Sequence, residues 1–215
     1  MALHVAAAPS SSLGFTSKTK YRYDVFLSFR GEETRHNFTL PLYDALRRKG
    51  IKAFIDDKKL GKREKISPAL LKAIERSRIS ILVFSKNYAT STWCLEELAH
   101  IIRCKKEKNQ VVMPVFYKVD PLDVQYQRNS FQEAMAALEK RFSDDSEKVQ
   151  KWRSALSEAA SLSLAWLFEN GSNNTHIGSW MESATLQYSA LVADLETTCC
   201  FLETHRIGFA TRKTQ

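Results

Sequence analysis

Short apolar runs alternate along the chain with longer stretches whose apolar positions recur every three or four residues. The runs are DVFLSF (24–29), IKAFID (51–56), ISILVFS (79–85), VVMPVFYKV (111–119) and SLAWLF (163–168). Between them lie TLPLYDALRRKG (39–50), SPALLKAIERS (67–77), TWCLEELAHIIRCKK (92–106) and two further helical stretches, Phe131 to Phe142 and Glu147 to Ser161. Strands that alternate with amphipathic helices predict βαβ units, hence a doubly wound α/β domain: a parallel sheet with helices on both faces and ligands at the carboxyl ends of its strands. Boundary signals agree, with Gly50 as a stop after Arg47–Lys49 and Ser67-Pro68 as a cap followed by proline at the first helical position.

One helix carries the candidate chemistry. At 100° per residue, Cys94, Leu95, Leu98, Ile101 and Ile102 form a single apolar stripe, as expected of a helix packed on a sheet. Trp93 and Glu97, four apart, share a face at the border of that stripe, whereas Glu96 lines up with His100 and Arg103 on the outer side. This spacing predicts a solvated Glu96 and a half-sheltered Glu97 beside an indole. It leaves two roles open for Glu97: a reactive carboxylate, or a group that merely complements the helix dipole while Trp93 fills the core.

Charge and glycine content narrow the chemistry. The net charge of +8 sits in short blocks, Arg47–Lys49, Lys62–Glu64 and Lys105–Lys108, not in one stripe with interleaved aromatics, so nucleic acid is not expected as the primary partner. No GxGxxG or GxxxxGK[ST] occurs and the chain has only 7 glycines, which removes the phosphate-cradling backbone of a Rossmann or P-loop site. The first and third strands end in Ser28-Phe29-Arg30 and Phe84-Ser85-Lys86, without the acids of a phosphoreceiver. Four cysteines with no CxxC pair suit a reducing compartment, no metal site is suggested, and no apolar run is long enough to span a membrane. The segment 1–20 reads as a disordered arm, with a transit segment as the alternative.

YDVFLSFRGEETRHNF, FIDDKKLGKREKISPALLKAIERSRISILVFSKNYATSTWCLEEL and VVMPVFYKVDPLDV together resemble the plant form of the Toll/interleukin receptor (TIR) domain. That family fronts many intracellular NLR immune receptors and occurs in short TIR-only proteins. The resemblance spans residues 21–170 and implies a flavodoxin-like sheet of five parallel strands flanked by helices. It also implies cleavage of the nicotinamide–ribose bond of NAD+ or NADP+, with the dinucleotide as substrate and no cofactor required. The family's catalytic glutamate falls on Glu97, its pocket-wall tryptophan on Trp93, and its nucleotide-facing segment on Phe29, Arg30, Gly31, Glu32 and Thr34. From the residues alone, Arg30 could equally be an ion partner of Glu32 or Glu33, and Gly31 a plain strand-to-helix turn. The expected setting is the cytoplasm, with the nucleus second, and the expected partners are TIR domains of the same chain or of NLR receptors.

The resemblance further implies that activity needs assembly, in which the loop after the second strand, Asp57 to Ile66, packs on a neighbour. Four departures bear on this. Arg63 stands where that loop has glycine, Leu40-Pro41 replaces a polar contact pair in the first helix, and Gln125 and Asn129 replace an arginine and a glycine. Pro41 lacks an amide donor and costs about 3 kcal/mol inside a helix, so the helix is expected to start near Thr39 or kink there. With both contacts altered on a basic chain, the free protein is expected to be a weakly active monomer. Residues 171–215 depart from the family except for LQYSALVADLE, which suggests a closing helix and a disordered tail, as in a TIR-only or truncated product. Two other readings stand beside the enzyme: a non-catalytic adaptor or decoy for full-length receptors, and an activity on nucleic acid.

Overall fold

The computed structural model describes residues 21–56, 66–162 and 166–168. The expected arm, the assembly loop with Gly61 and Arg63, and the tail from 171 onward lie outside the described residues. Five parallel strands form one sheet, β1 (Tyr23–Phe29), β2 (Ala53–Ile55), β3 (Ser77–Phe84), β4 (Val111–Tyr117) and β5 (Trp166–Phe168), in the order β2-β1-β3-β4-β5. β1 and β3 lie inside the sheet and are covered on both faces, which is why they read as nearly unbroken apolar runs. Register pairs Phe29 with Val83, so the carboxyl ends of β1 and β3 finish level.

Helices α3 (Pro68–Glu75), α4 (Thr92–Lys108), α6 (Asn129–Arg141) and α7 (Ser146–Ala160) cover one face. Their core includes Phe26, Leu82, Phe84, Leu98, Phe116 and Trp152. The opposite core, Val25, Leu27, Phe29, Phe38, Leu42 and Val83, lies beneath α2 (Leu40–Arg48). Expected boundaries hold: Ser67 Oγ accepts from the Leu70 amide at 3.2 Å, and Gly50 follows α2 at φ +78°. The short helix α5 (Pro121–Gln125), capped by the Asp120 carboxylate, was not foreseen, because five residues are too few to display a helical period.

Pro41 falls in the first turn of α2, whose N-cap is Thr39, as expected, but the chain before it is already helical. The chain turns into helix immediately after β1, as α1 (Gly31–Thr34), and continues through a π-type turn at Arg35–Thr39 before α2. The Leu40 amide reaches back five residues to Arg35 O, so the ladder changes register just where proline cannot donate. Asn129, the expected glycine position, sits at φ +50°, a left-handed conformation that asparagine tolerates, and its side-chain amide donates to Asp123 Oδ2 at 2.8 Å.

The outer side predicted for α4 is only partly outer. His100 is buried, and Glu96 is half-buried and pairs with Lys148 on α7 at 3.4 Å. The stripe was wider than the sequence period showed because α3 and α7 pack on the two flanks of α4 while the sheet takes its base.

At the amino edge of the sheet, buried Gln110 joins α3 to β3 and β4. Its amide nitrogen donates to Ile74 O at 2.7 Å and Ser77 O at 2.8 Å, and its oxygen accepts from Ser80 Oγ at 3.2 Å. Gln110→Ala strands three buried polar groups and should cost about 3 kcal/mol, seen as a lower denaturation midpoint at unchanged m-value.

Candidate active site

Ser91, in an extended conformation, starts α4: its hydroxyl accepts from the Cys94 amide at 3.3 Å. The sheet-facing stripe of α4 then directs Glu97 toward the end of β1. Glu97 is completely excluded from solvent, not half-sheltered as its spacing suggested. Two donors hold its carboxylate, Ser28 Oγ to Oε2 at 2.7 Å and Trp93 Nε1 to Oε1 at 2.7 Å. Burial is complete because Ser28 supplies from the sheet a hydrogen bond that helix periodicity cannot reveal.

Behind this pair lies Tyr88, in the turn between β3 and α4. Its hydroxyl is 3.2 Å from Ser28 Oγ and donates to Cys94 O at 3.2 Å. Burial, followed by the neighbouring Cys94 and Glu97, pushes the Tyr88 phenol well above its ordinary value, so it stays protonated. Neither Ser28 nor Tyr88 was a candidate from sequence. The available signal was a serine within an otherwise apolar central strand.

The remaining candidates surround the carboxyl end of β1. Phe29 is buried beneath the Arg35 guanidinium, 5.2 Å from its ring, and its carbonyl accepts from Cys94 Sγ at 3.5 Å. Arg30 links strand to helix. Its carbonyl accepts from Thr34 Oγ1 at 3.0 Å, and Thr34 in turn receives Thr39 Oγ1 at 3.1 Å. Thr34 is fully buried, so it shapes this turn from inside. Gly31 has no positive φ, and an added Cβ would only touch Arg35 at 3.5 Å. The fold would therefore accept a side chain there. Glu33, one of the two acids weighed as a partner of Arg30, accepts from the backbone amide of Asn87 at 3.2 Å and from its side-chain amide. Glu32 begins the same helix, but its side chain lies outside the description.

Glu97, Trp93, Phe29 and Arg30 are thus brought to one corner of the sheet, where doubly wound folds bind ligands. A groove of about 530 Å³ between α5 and α7 is lined by glutamines, serines, Arg153 and Glu158 and contains none of these residues.

The sequence profile of the TIR domain matches residues 22–196. The chain belongs to the TIR domain family. The TIR match continues past 170, where the resemblance was expected to end. The chain is 54% identical over 157 residues to the disease resistance protein RPV1 of Vitis rotundifolia, covering 73% of this chain and 11% of that protein. To the TMV resistance protein N of Nicotiana glutinosa it is 52% identical over 147 residues, covering 68% of this chain and 13% of the relative. It therefore spans roughly an eighth of the length of these relatives. Among solved structures, a TIR domain of the activated Roq1 resistosome, which directly recognizes the pathogen effector XopQ, superposes with a TM-score of 0.68 at 44% identity. That match covers 75% of this chain and 98% of the Roq1 chain.

The helix that carries Glu97 also carries a titratable contact. His100 Nε2 lies 3.3 Å from Glu75 Oε1 and its Nδ1 2.8 Å from Arg103, with Lys108 on the same carboxylate at 3.1 Å. Burial first, then the Arg103 charge, holds His100 below its ordinary value of 6.5. The unfolded chain then binds the proton more readily than the folded one. Stability should be constant above about pH 6.5 and fall as pH drops through that value. The Glu75 carboxyl is held low, chiefly by its hydrogen bond with Lys108, so its share is lost only further down, below about 4.5. Thermal melts between about pH 7.5 and about pH 5.5 should show Tm falling, and His100→Gln should flatten that fall.

Proposed function

We propose that this TIR domain hydrolyses NAD+ or NADP+, releasing nicotinamide and leaving ADP-ribose or a cyclic ADP-ribose-type product, and that it does so in plant innate immune signalling. The observation that carries the reading is Glu97, a carboxylate fully buried at the carboxyl end of the sheet with a donor on each oxygen. Nicotinamide leaves as a neutral base, and positive charge develops on the ribosyl carbon. One oriented carboxylate can bind ribose hydroxyls and stabilise that charge in a site screened from water. Trp93, half-exposed, would wall the ribose side, and Arg30 would offer a cation for the diphosphate beside Gly31, which carries no side chain. Relatedness to plant resistance proteins supports the immune setting. On this reading the protein acts in the cytoplasm or nucleus and needs no cofactor.

The same geometry favours activation by association. In the single chain neither oxygen of Glu97 reaches solvent, so a ribose hydroxyl can bind only after one hydrogen bond is exchanged. Contact with a second TIR domain, of this chain or of an NLR receptor, would supply the energy for that exchange. Leu40-Pro41, at the start of α2, favours a second reading: if self-association is lost, the chain acts as a non-catalytic adaptor or decoy on full-length receptors.

Nicotinamide release by concentrated protein separates the readings. Glu97→Ala should lower it by about 100-fold or more. Glu96→Ala should leave most of the activity, because it breaks only a surface ion pair with Lys148, worth about 1 kcal/mol or less. Activity per molecule should rise with protein concentration; equal losses from both substitutions would refute the assignment, and no release at any concentration would favour the adaptor.

A further inference from the structure

Glu97 receives one hydrogen bond from its own helix and one from the sheet. Trp93 Nε1 approaches Oε1 from a half-exposed ring, whereas Ser28 Oγ approaches Oε2 from inside the sheet, where Ser28, Tyr88 and Glu97 all lie without exposure. The inner bond cannot be exchanged for a substrate hydroxyl without opening the packing of α4 on β1. The outer one can. If Glu97 acts as assigned above, Oε1 is the oxygen placed to meet substrate, and Oε2 the one that fixes the plane of the carboxylate.

We propose that Ser28 is the positioning residue of Glu97, and that Tyr88 holds Ser28 in turn. The role in turnover rests on the assignment of Glu97 made above. Ser28 shares its side of β1 with Phe26, in the core beneath α4, where a serine without a partner would be costly. Its hydroxyl is spent on the carboxylate at 2.7 Å and stands 3.2 Å from the Tyr88 hydroxyl. Tyr88 has one proton for two acceptors, Ser28 Oγ and Cys94 O, both at 3.2 Å, so it bridges the strand to the first turn of the helix. The Tyr88 ring is fixed edge-on against Phe84 with centroids 4.8 Å apart, and this keeps the bridge in place. At metal sites, partners that orient a ligand from outside change activity by about 10- to 100-fold, and an effect at the low end of that range is expected for a carboxylate oriented in the same way.

The test uses the full chain with Ser28→Ala, Ser28→Thr and Tyr88→Phe, and two measurements. The first is kcat and KM for nicotinamide release. The second, independent of turnover, is the indole N–H resonance of Trp93, identified among the 4 tryptophans by its loss in Trp93→Phe. Ser28→Ala should lower kcat about tenfold with KM within about twofold, and should shift the Trp93 resonance as the carboxylate turns. Ser28→Thr, which keeps the hydroxyl, should restore both, and Tyr88→Phe should fall between. A Trp93 resonance unmoved by Ser28→Ala would overturn the proposal. So would undiminished kcat in Ser28→Ala when Glu97→Ala is inactive. If wild type and Glu97→Ala release nicotinamide equally, the assignment of Glu97 has failed, and the resonance still decides whether Ser28 orients the carboxylate. Should Ser28→Ala not fold, Ser28→Thr and Tyr88→Phe carry both measurements, and wild-type values in Tyr88→Phe would remove Tyr88 from the role.

Discussion

A carboxyl group removed from water is tolerated in a protein interior only when its oxygens are hydrogen-bonded. Glu97 meets that condition with one bond from its own helix and one from the sheet. The helical bond is local, four residues back along α4. The bond to Ser28 spans 69 residues of sequence and exists only when α4 docks on β1 in this register. The buried carboxylate thus acts as a constraint on docking: a shift of α4 by one residue would break the bond between Glu97 and Ser28.

The corner of the sheet is braced by further polar ties of the same kind. Cys94 Sγ reaches Phe29 O, Asn87 grips Glu33, and the hydroxyls of Thr39 and Thr34 lead back to Arg30 O. The first two join the end of β1 and the turn after it to α4 and to the turn after β3, and the third braces the turn after β1 from within. Together they hold Arg30 and Glu97 in fixed relation, although the segments carrying them are far apart in sequence. Rigid placement of few groups is what the proposed cleavage, with its neutral leaving group, would demand.

Two departures from the family pattern show how the backbone absorbs substitution. Proline in the first helix is met by a π-type turn that shifts the ladder by one residue, so a missing donor costs no buried hydrogen bond in regular helix. Asparagine takes over a left-handed position and adds a side-chain bond to Asp123. The architecture survives both changes because each falls at an element boundary, where backbone groups have alternatives.

The alternation of apolar runs and helical stretches was enough to determine a doubly wound parallel sheet, its helix caps and the stripe on α4, since these depend on short apolar runs, cap residues and a 3.6 period that the chain carries locally. The family motifs added five strands and pointed to Glu97. What they could not reach was the inside of the site. The depth of Glu97, the burial of His100, and the parts played by Ser28 and Tyr88 arise from contacts between segments whose sequence separation leaves no periodic trace. A helix period reports which residues share a face; it does not report how many neighbours cover that face or what the strand beneath it offers. Tertiary packing decided that, because the same glutamate half-exposed on a free helix becomes wholly enclosed once β1 supplies a hydroxyl at the matching height.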